Sequence, residues 1–246
     1  MKCTIMQPTY LPWLGYFDLI DQVDIFVFLD NVQLTRRSWQ VRNKIKTKKG
    51  ELYLTIPVKK LKSRDETTLH RAQIDLNNSW KKKHLKSLQL SYQKAPYFNK
   101  IYPFIEKLIN TNEKILSKFN INIIKKICQK IGLKKKFIKA SELKNIFGRK
   151  DALLVTICQA IGCNSYLSPQ GAKDYIERKS SGGEFAKNKI DLYYHHYNHP
   201  VYNQLYSDLI SHLSVVDLLF NYGFNKSLTV IRNGRRTPIN YIKIKR

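Results

Sequence analysis

The sequence predicts an α/β fold of Rossmann-like type, with a mostly parallel sheet and a helical insertion or subdomain. Helical and strand patterns alternate along its 246 residues, as they do when helices cover both faces of a parallel sheet. The apolar run DIFVFLD at residues 24–30, closed by Asp at each end, is typical of a buried parallel strand. Three successive helical patterns within residues 79–131 predict the helical subdomain.

The first 30 residues predict a βαβ unit. Residues 3–7 form a strand candidate that ends at Pro8, because proline has no backbone N–H to donate to a sheet. Apolar residues at helical spacing predict a helix over 14–22, and residues 24–30 form the second strand. Two parallel strands joined in this way place their carboxyl ends at the same edge of the sheet.

The next segment is less regular. Residues 33–46 are polar and cationic, and we predict an irregular loop or a short helix there. ELYLTIPV at 51–58 predicts a third strand, whereas the charged segment 59–71 lacks periodicity and predicts a mobile loop. The helical subdomain follows, with predicted helices over residues 79–93, 98–110 and 112–131.

The last part of the chain alternates again between strands and helices. We predict strands over 135–141, 165–169 and 189–197, and helices over 149–161 and 215–222. The final helix is expected to end at Gly223, and the basic tail from Arg232 onward to be loosely held. No internal repeat or low-complexity linker divides the chain, so residues 1–246 are predicted to form a single domain.

The composition is that of a globular protein without a membrane span. Hydrophobic residues make up 43% of the chain and charged residues 25%, and no apolar run reaches the roughly 18 residues of a membrane helix. The amino terminus lacks a signal-peptide cleavage site, which predicts a cytoplasmic protein. The cysteines show neither CxxC nor zinc spacing and are expected to be buried, reduced thiols: Cys3, Cys128, Cys158 and Cys163.

The formal net charge of +26 admits two explanations. Abundant Lys, Ile and Asn with little Ala are typical of an AT-rich genome, so codon bias is one of them. The other is an anionic partner, because residues 80–150 contain 19 Lys or Arg and only three acidic residues. Such a stretch suits a phosphate-bearing partner, and it equally suits a solvated helical face.

Polar and aromatic residues gather after the predicted strands, where Rossmann-type sheets bind their ligands. Aromatic rings supply stacking planes, amides and carboxylates supply hydrogen bonds, and Arg holds phosphates in a bidentate fork. The candidates after the first two strands are Gln7, Tyr10, Trp13, Asp30, Gln33, Arg36, Trp39, Arg42 and Asn43. The same reasoning adds Ser168 and Gly171 after a later strand. The alternative is that the aromatic residues belong to the core and that Asp30 caps a strand.

Three histidines lie within HHYNHPVYNQ at 195–204. His195 and His196 are adjacent, so on a strand they point to opposite faces, and we predict no bound metal and no cofactor. His199 precedes a proline in a predicted loop and is the better candidate for acid–base catalysis. Asp217 is a carboxylate in an apolar helix, where it can orient His199 or a ligand, or simply pair with a backbone group.

Several segments resemble, in order, the signature blocks of the WbqC-like protein family. They are QPTYLPWLGYFDLID, FVFLDNVQ, RSWQVRNKIKT, LTIPV, SWKKKHLKSLQ, YLSPQGAKDYI, HPVYNQL and LSVVDLLFNYG. The resemblance covers about residues 5–225 and adds Tyr202 to the candidate site. It implies a bacterial, cytosolic protein associated with surface polysaccharides, and a glycine transferase acting on an amino sugar. Family members commonly carry Asp where this chain has Asn31, which weakens any paired-carboxylate site.

The preferred hypothesis is therefore an acyl or aminoacyl transferase that acts on a nucleotide-linked amino sugar. Arg42 and Arg36 would hold the diphosphate, Trp39 would stack, and Asp30 or His199 would deprotonate the amine. Aminoacyl-tRNA as donor would give the basic stretch a purpose. The alternative is a non-catalytic protein that binds nucleic acid or a phosphorylated ligand. Nucleotidyl transfer is least favoured, because Trp13-Leu14-Gly15-Tyr16 lacks the histidines of the His-x-Gly-His enzymes.

Overall fold

A computed structural model describes residues 1–35, 37–59, 67–206 and 208–244, and within these ranges a six-stranded sheet forms the centre of the fold. The main-sheet strands are β1 (Lys2–Met6), β2 (Ile25–Phe28), β5 (Lys136–Lys139), β6 (Ser165–Ser168), β7 (Asp191–Tyr194) and β8 (Ile239–Asn240). Their order is β5-β2-β1-β6-β7-β8, and every pairing except β7–β8 is parallel. The prediction of a mixed α/β fold with a mostly parallel sheet is confirmed.

Helices cover both faces of this sheet. They are α1 (Leu14–Asp21), α2 (Trp80–Tyr92), α3 (Phe98–Ile109), α4 (Leu116–Lys130), α5 (Asp151–Ala160), α6 (Lys173–Ile176), α7 (Gly183–Lys187) and α8 (Val215–Asn233). One apolar core contains residues of helices α1, α2, α3, α4 and α8, and the other contains residues of α5, α6 and α7. Adjacent residues of β2 face opposite cores, with Phe26 in the first and Val27 in the second.

The first βαβ unit has the predicted arrangement. Strands β1 and β2 pair in parallel from Cys3↔Ile25 to Met6↔Phe28, and α1 connects them. Their carboxyl ends therefore lie at one edge of the sheet, as do those of β5, β6 and β7. The residues directly after these ends, at 7–13, 29–31, 169–171 and 195–199, start from that edge.

A hairpin corrects the prediction for residues 33–46. Residues 42–47 are a strand, β3 (Arg42–Thr47), which pairs antiparallel with β4 (Gly50–Thr55) in a separate two-stranded sheet. Asn43 and Ile45 are buried and alternate with the partly buried Arg42 and Lys44, a strand signal that the many cationic residues obscured; Lys46 is buried as well. The predicted strand 51–58 thus belongs to this hairpin and not to the main sheet.

The carboxyl-terminal region differs from the prediction in two ways. Gly223 adopts φ 69° and ψ 179°, which is not helical and which only glycine tolerates readily, so the first helical segment of α8 ends there as predicted; a second segment, which was not predicted, follows it to Asn233. The tail is also held in place. Arg232 and Arg235 donate hydrogen bonds to Asp21, and Arg235 donates a second one to Asp18 at 2.8 Å.

Three further expectations concern a membrane span, the cysteines and the loop at 59–71. None of the helices in the described ranges is long and apolar enough to cross a membrane. All four cysteines are buried and free, with the Cys3 and Cys158 sulfurs 3.5 Å apart. Residues 60–66 of the loop predicted at 59–71 lie outside the described ranges. At 68 the chain forms an isolated bridge between Thr68 and Gln33.

Candidate functional site

Buried side-chain amides donate hydrogen bonds to the backbone of the loop after β1, residues 7–13. Asn43 donates hydrogen bonds from Nδ2 to the carbonyl oxygens of Tyr10 and Leu11, at 3.1 and 2.8 Å. Asn120 does the same for Pro8 at 3.1 Å. Tyr10 is fully buried, and its hydroxyl lies 3.1 Å from His84 Nδ1. In this structure Tyr10 and Asn43 therefore shape the loop from the core side.

Trp13 is half-buried at the last position of this loop, where it contacts two imidazoles. Its ring is stacked on His199, with centroids 6.5 Å apart and planes at 13°, and it lies 5.0 Å from His212. The two imidazole centroids are 5.0 Å apart, and Tyr202 lies 5.9 Å from His199. We call Trp13, Lys44, His199, Tyr202 and His212 the imidazole site. Its parts follow the carboxyl ends of β1 and β7, and Lys44 comes from β3.

The hydrogen bond of His199 fixes which ring nitrogen is free. Nδ1 lies 3.0 Å from the carbonyl oxygen of Pro200, which can only accept, so Nδ1 carries the proton of the neutral imidazole. Nε2 then holds the lone pair. This atom is buried and has no hydrogen-bond partner among the described residues. An unpaired buried acceptor is unfavourable by about 1–3 kcal/mol, so a hydrogen bond to this nitrogen would be stabilising.

The surroundings also keep His199 uncharged. The pKa of His199 is lowered to about 4, chiefly by burial, and electrostatic repulsion from His212 and Lys44 acts in the same direction. Burial and Lys44 likewise lower the pKa of His212. Both imidazoles are therefore neutral near pH 7, and His199 Nε2 is available as a proton acceptor.

A buried carboxylate network lies behind His199. Asp217, in the first turn of α8, accepts hydrogen bonds from the hydroxyls of Tyr92 and Tyr202, each at 2.9 Å. Burial raises the pKa of Asp217 to about 6, while the two tyrosine hydroxyls and Lys46 oppose that rise. Lys46 donates to Gln204 and to the carbonyl oxygens of residues 206 and 208. The network thus fixes Tyr202 and the loop that carries His199.

An aromatic and cationic surface continues from the imidazole site along the hairpin. Lys44 pairs across the strands with Tyr53, and its Nζ lies 2.5 Å from Glu51. The Arg42 guanidinium lies 4.7 Å from the centroid of the Tyr53 ring. The Trp39 ring is stacked on the same tyrosine, with centroids 6.3 Å apart. Trp39 is 50% exposed and Tyr53 45%, so both rings are open to a ligand.

Asp30 lies apart from this surface, at the end of β2. Its carboxylate accepts hydrogen bonds from the Ser141 backbone N–H at 2.9 Å and from the Ser141 hydroxyl at 2.7 Å. Its backbone oxygen accepts from His70 N–H at 2.9 Å. Asp30 is 1% exposed, so in this structure it joins the ends of β2 and β5.

The remaining predicted residues are dispersed. Gln7 accepts a hydrogen bond from Gln40 at 2.5 Å. Ser168 is buried at the end of β6, and Gly171 follows it in an exposed turn with open space around it. Gln33 is exposed beside Thr68. Arg36 lies outside the described residues.

The first of the adjacent histidines has a structural partner. His195 Nε2 lies 2.7 Å from Asp18 Oδ2, and Arg235 binds the other oxygen of the same carboxylate. Within the described ranges no group of three or more His, Cys, Asp or Glu side chains is arranged to hold a metal ion.

Sequence reasoning missed four residues of this region, namely Lys44, Tyr53, Tyr92 and His212. The sequence did contain a signal for Lys44 and Tyr53. If residues 42–47 are interpreted as a strand, Lys44 lies on the same face as Arg42, and Tyr53 is the cross-strand neighbour of Lys44. No local pattern marks Tyr92 or His212, because their contacts with Asp217 and Trp13 join residues far apart in the chain.

Gly15 allows the Trp13 ring to occupy its position. A Cβ at residue 15 would lie 2.3–2.7 Å from three indole carbons of Trp13. We expect Gly15→Ala to displace this ring and to lower the free energy of unfolding by about 1–3 kcal/mol, the usual effect of overpacking. Urea denaturation measures the change. Gly171→Ala is the control, because Gly171 has open space; equal stability of the two variants would contradict the packing of Trp13 described above.

The fold and the site define the class of protein. It is a mixed α/β protein with a mostly parallel sheet, an inserted hairpin with three helices, and a candidate site built from the loops after β1 and β7. Comparison with known proteins makes the assignment more specific: the chain belongs to the WbqC-like protein family, whose model matches residues 7–228. The resemblance predicted from the sequence is thereby confirmed.

One curated relative matches over nearly its whole length. It is described as "Uncharacterized protein Rv1507c" from Mycobacterium tuberculosis (strain ATCC 25618 / H37Rv). The two chains are 30% identical over 224 residues, which cover 90% of this chain and 94% of the relative. No solved structure matches the chain.

Proposed function

We propose that this protein is an acyl or aminoacyl transferase, such as a glycine transferase, that acts on a nucleotide-linked amino sugar. Its role would be in the cytoplasmic biosynthesis of bacterial surface polysaccharide. The observation that carries the proposal is the free, buried Nε2 of a neutral His199 beside exposed aromatic and cationic side chains. That combination suits a base next to a binding surface for a phosphorylated sugar.

Acyl transfer to an amine requires a proton acceptor at one step. The amine nitrogen forms a bond to the acyl carbon, and the resulting tetrahedral intermediate carries an acidic ammonium group. His199 Nε2 accepts that proton and returns it to the leaving oxygen as the bond between acyl carbon and donor breaks. A weakly basic imidazole is adequate here, because the intermediate is far more acidic than the starting amine. No cofactor is required for this step.

The hairpin surface supplies the matching contacts for the acceptor. Arg42 and Lys44 would bind the diphosphate, with Arg42 presenting a planar fork. Trp39 and Tyr53 would stack against the base or the sugar. If the six strands of the main sheet are numbered 1 to 6 in chain order, their order across the sheet is 3-2-1-4-5-6. This order supports a Rossmann-like fold, in which ligands bind beyond the carboxyl ends of the strands.

His199 is a better candidate base than Asp30 in this mechanism. Both oxygens of the Asp30 carboxylate already accept hydrogen bonds from Ser141, and the side chain is buried. His199 Nε2 has no competing partner among the described residues. Asp217 would act as a positioning residue, because it holds Tyr202 against the His199 ring.

The test is direct detection of the product. The purified protein is incubated with nucleotide-linked amino sugars and with glycyl donors, including glycyl-tRNA, and the products are analysed by mass spectrometry. We expect an acylated nucleotide sugar with at least one pair of donor and acceptor. Failure of all pairs to give an acylated sugar, with protein shown to be folded, would refute the transferase.

A second candidate is a non-catalytic protein that binds nucleic acid or a phosphorylated ligand. The observation that favours it is the large excess of positive charge, +26. This reading gives no reason for a neutral base with an unpaired buried nitrogen beside Trp13. It predicts that His199 and Asp30 variants keep full function while multiple Lys variants lose it.

A further inference from the structure

We infer that the groove between α4 and the edge strand β5 is a binding site for the phosphate backbone of a nucleic acid. The groove has a volume of about 600 Å³. Strand β5 is at one edge of the main sheet, and β7, which precedes the loop of His199, is four strands away. The groove shares no lining residue with the imidazole site. Six lysines line it: Lys118, Lys125, Lys126, Lys134, Lys135 and Lys139.

The groove contains no acidic lining residue, although the lysines come from three different segments. Two of them already have partners: Lys135 donates to the Asp21 carbonyl oxygen, and Lys139 pairs with Glu142 at 2.5 Å. The other four form no ion pair with any side chain in the described ranges. Four unneutralised ammonium groups in one concave surface repel one another, and a polyanion relieves that repulsion.

The groove also has features that lysines on a solvated face do not need. Ile121, Leu133 and Phe137 form an apolar floor, and Phe137 is partly buried with Lys125 over its ring at 5.8 Å. Asn122 and Gln129 add amide donors on the wall. Recessed aromatic and apolar groups flanked by cations are typical of sites that follow a nucleic-acid strand.

The dimensions agree with a nucleic acid. Lys118 and Gln129 are eleven residues apart on α4, so the helical wall of the groove is about 16 Å long at 1.5 Å per residue. One strand of a duplex carries a phosphate about every 3.4 Å along the axis, so such a track passes about five phosphates. A single phosphorylated metabolite would leave most of the lysines unpaired.

Two other roles for the groove lysines, protection of a sheet edge and binding to an anionic membrane, explain fewer of these features than nucleic-acid binding does. Charged residues on an edge strand prevent sheet-to-sheet aggregation, and Lys136 and Lys139 on β5 suit that role. The lysines of α4 face the groove from a helix and protect no strand edge. An anionic membrane is a poorer partner, because its flat surface does not reach a recessed floor.

This inference goes beyond the proposed transferase and does not rest on it, because nucleic-acid binding can be measured with no acyl donor or acceptor. The experiment uses the full-length protein with a fluorescent RNA hairpin of about 20 nucleotides, across a range of salt concentrations. We expect the logarithm of the association constant to fall with the logarithm of salt with a slope of about −3 to −4, which corresponds to four neutralised phosphates.

Two double variants with equal charge loss locate the site. Lys125→Gln/Lys134→Gln removes two groove lysines, and Lys82→Gln/Lys86→Gln removes two from a separate cavity that also contains Glu106. We expect the groove variant to bind RNA about 10- to 100-fold more weakly at about 0.1 M salt and its slope to decrease in size by about 1.5–2. The control variant should change affinity much less.

Several results would overturn the inference. These are no RNA binding by the wild-type protein, equal weakening by both double variants, or binding to phosphatidylserine vesicles without binding to RNA. Displacement of the RNA by inorganic pyrophosphate, beyond the effect of an equal ionic strength of chloride, would mean that the groove takes a small phosphorylated ligand instead. Circular dichroism of both variants excludes unfolding as the cause of any loss.

Discussion

Replacing His199 with glutamine is expected to lower kcat/KM for the proposed transfer by about 100- to 10,000-fold, the range that a general base contributes. The glutamine side chain has a carbonyl oxygen that can accept a hydrogen bond but is too weakly basic to accept the proton of the intermediate. The fold should be unaffected. His199 Nε2 has no partner among the described residues, and the substitution removes only the hydrogen bond of Nδ1 to Pro200 and the contact with Trp13, which circular dichroism of the variant checks.

A pH profile separates a catalytic role from a structural one. Burial lowers the pKa of His199 to about 4, so kcat/KM of the wild-type protein should be level near neutral pH and should decline at about pH 4. That decline reports protonation of the free protein. His212→Gln is the control, because it changes the neighbouring imidazole 5.0 Å away and leaves Nε2 of His199 in place. Equal losses in the two variants would contradict the assignment of His199.

Removing the Asp217 carboxylate is expected to have the largest effect on stability. Asp217→Ala leaves the Tyr92 and Tyr202 hydroxyls without their acceptor in a fully buried position. Each unsatisfied hydroxyl is unfavourable by about 1–3 kcal/mol, and a cavity adds to this, so we expect a loss of about 3–5 kcal/mol. Chemical denaturation near pH 7 measures it. A loss below about 1 kcal/mol would contradict the buried network.

The amide variant distinguishes charge from hydrogen bonding. The pKa of Asp217 in the folded protein is raised to about 6 from 3.8, so the folded state favours the protonated form. Its contribution is fully present below pH 3.8 and is lost as pH rises through 6, amounting to about 3 kcal/mol. Asp217→Asn keeps the shape and a hydrogen-bond acceptor. It should therefore recover most of the stability near pH 7 and remove this pH dependence between 4 and 6.

Much of the fold followed from local pattern. The strand at DIFVFLD, the helix that begins at Leu14 and the long amphipathic helix in residues 112–131 have clear apolar patterns, and the structure contains all three. Strand β3 of the hairpin was missed because Lys and Arg dominate RNKIKT, although Asn43 and Ile45 point inward. The break of α8 at Gly223 followed from the glycine after an apolar run, whereas the second helical segment, up to Asn233, was not predicted.

The candidate site was only partly predictable, for a different reason. His199, Trp13 and Asp217 were singled out from their residue types and surroundings in the sequence. The contact of Trp13 with His199, and that of Asp217 with Tyr92, join residues that are distant along the chain, so no spacing rule reveals them. The free nitrogen of His199 depends on a hydrogen bond to Pro200 and on burial, both of which arise only in the folded chain.

A crystal structure of the protein with a nucleotide-linked amino sugar tests the central claim most directly. The account predicts that the sugar amine lies within hydrogen-bond distance of His199 Nε2, with the diphosphate on Arg42 and Lys44 and a ring stacked on Trp39 or Tyr53. A ligand bound instead over Asp30 and Ser141, with its amine remote from His199, would contradict it.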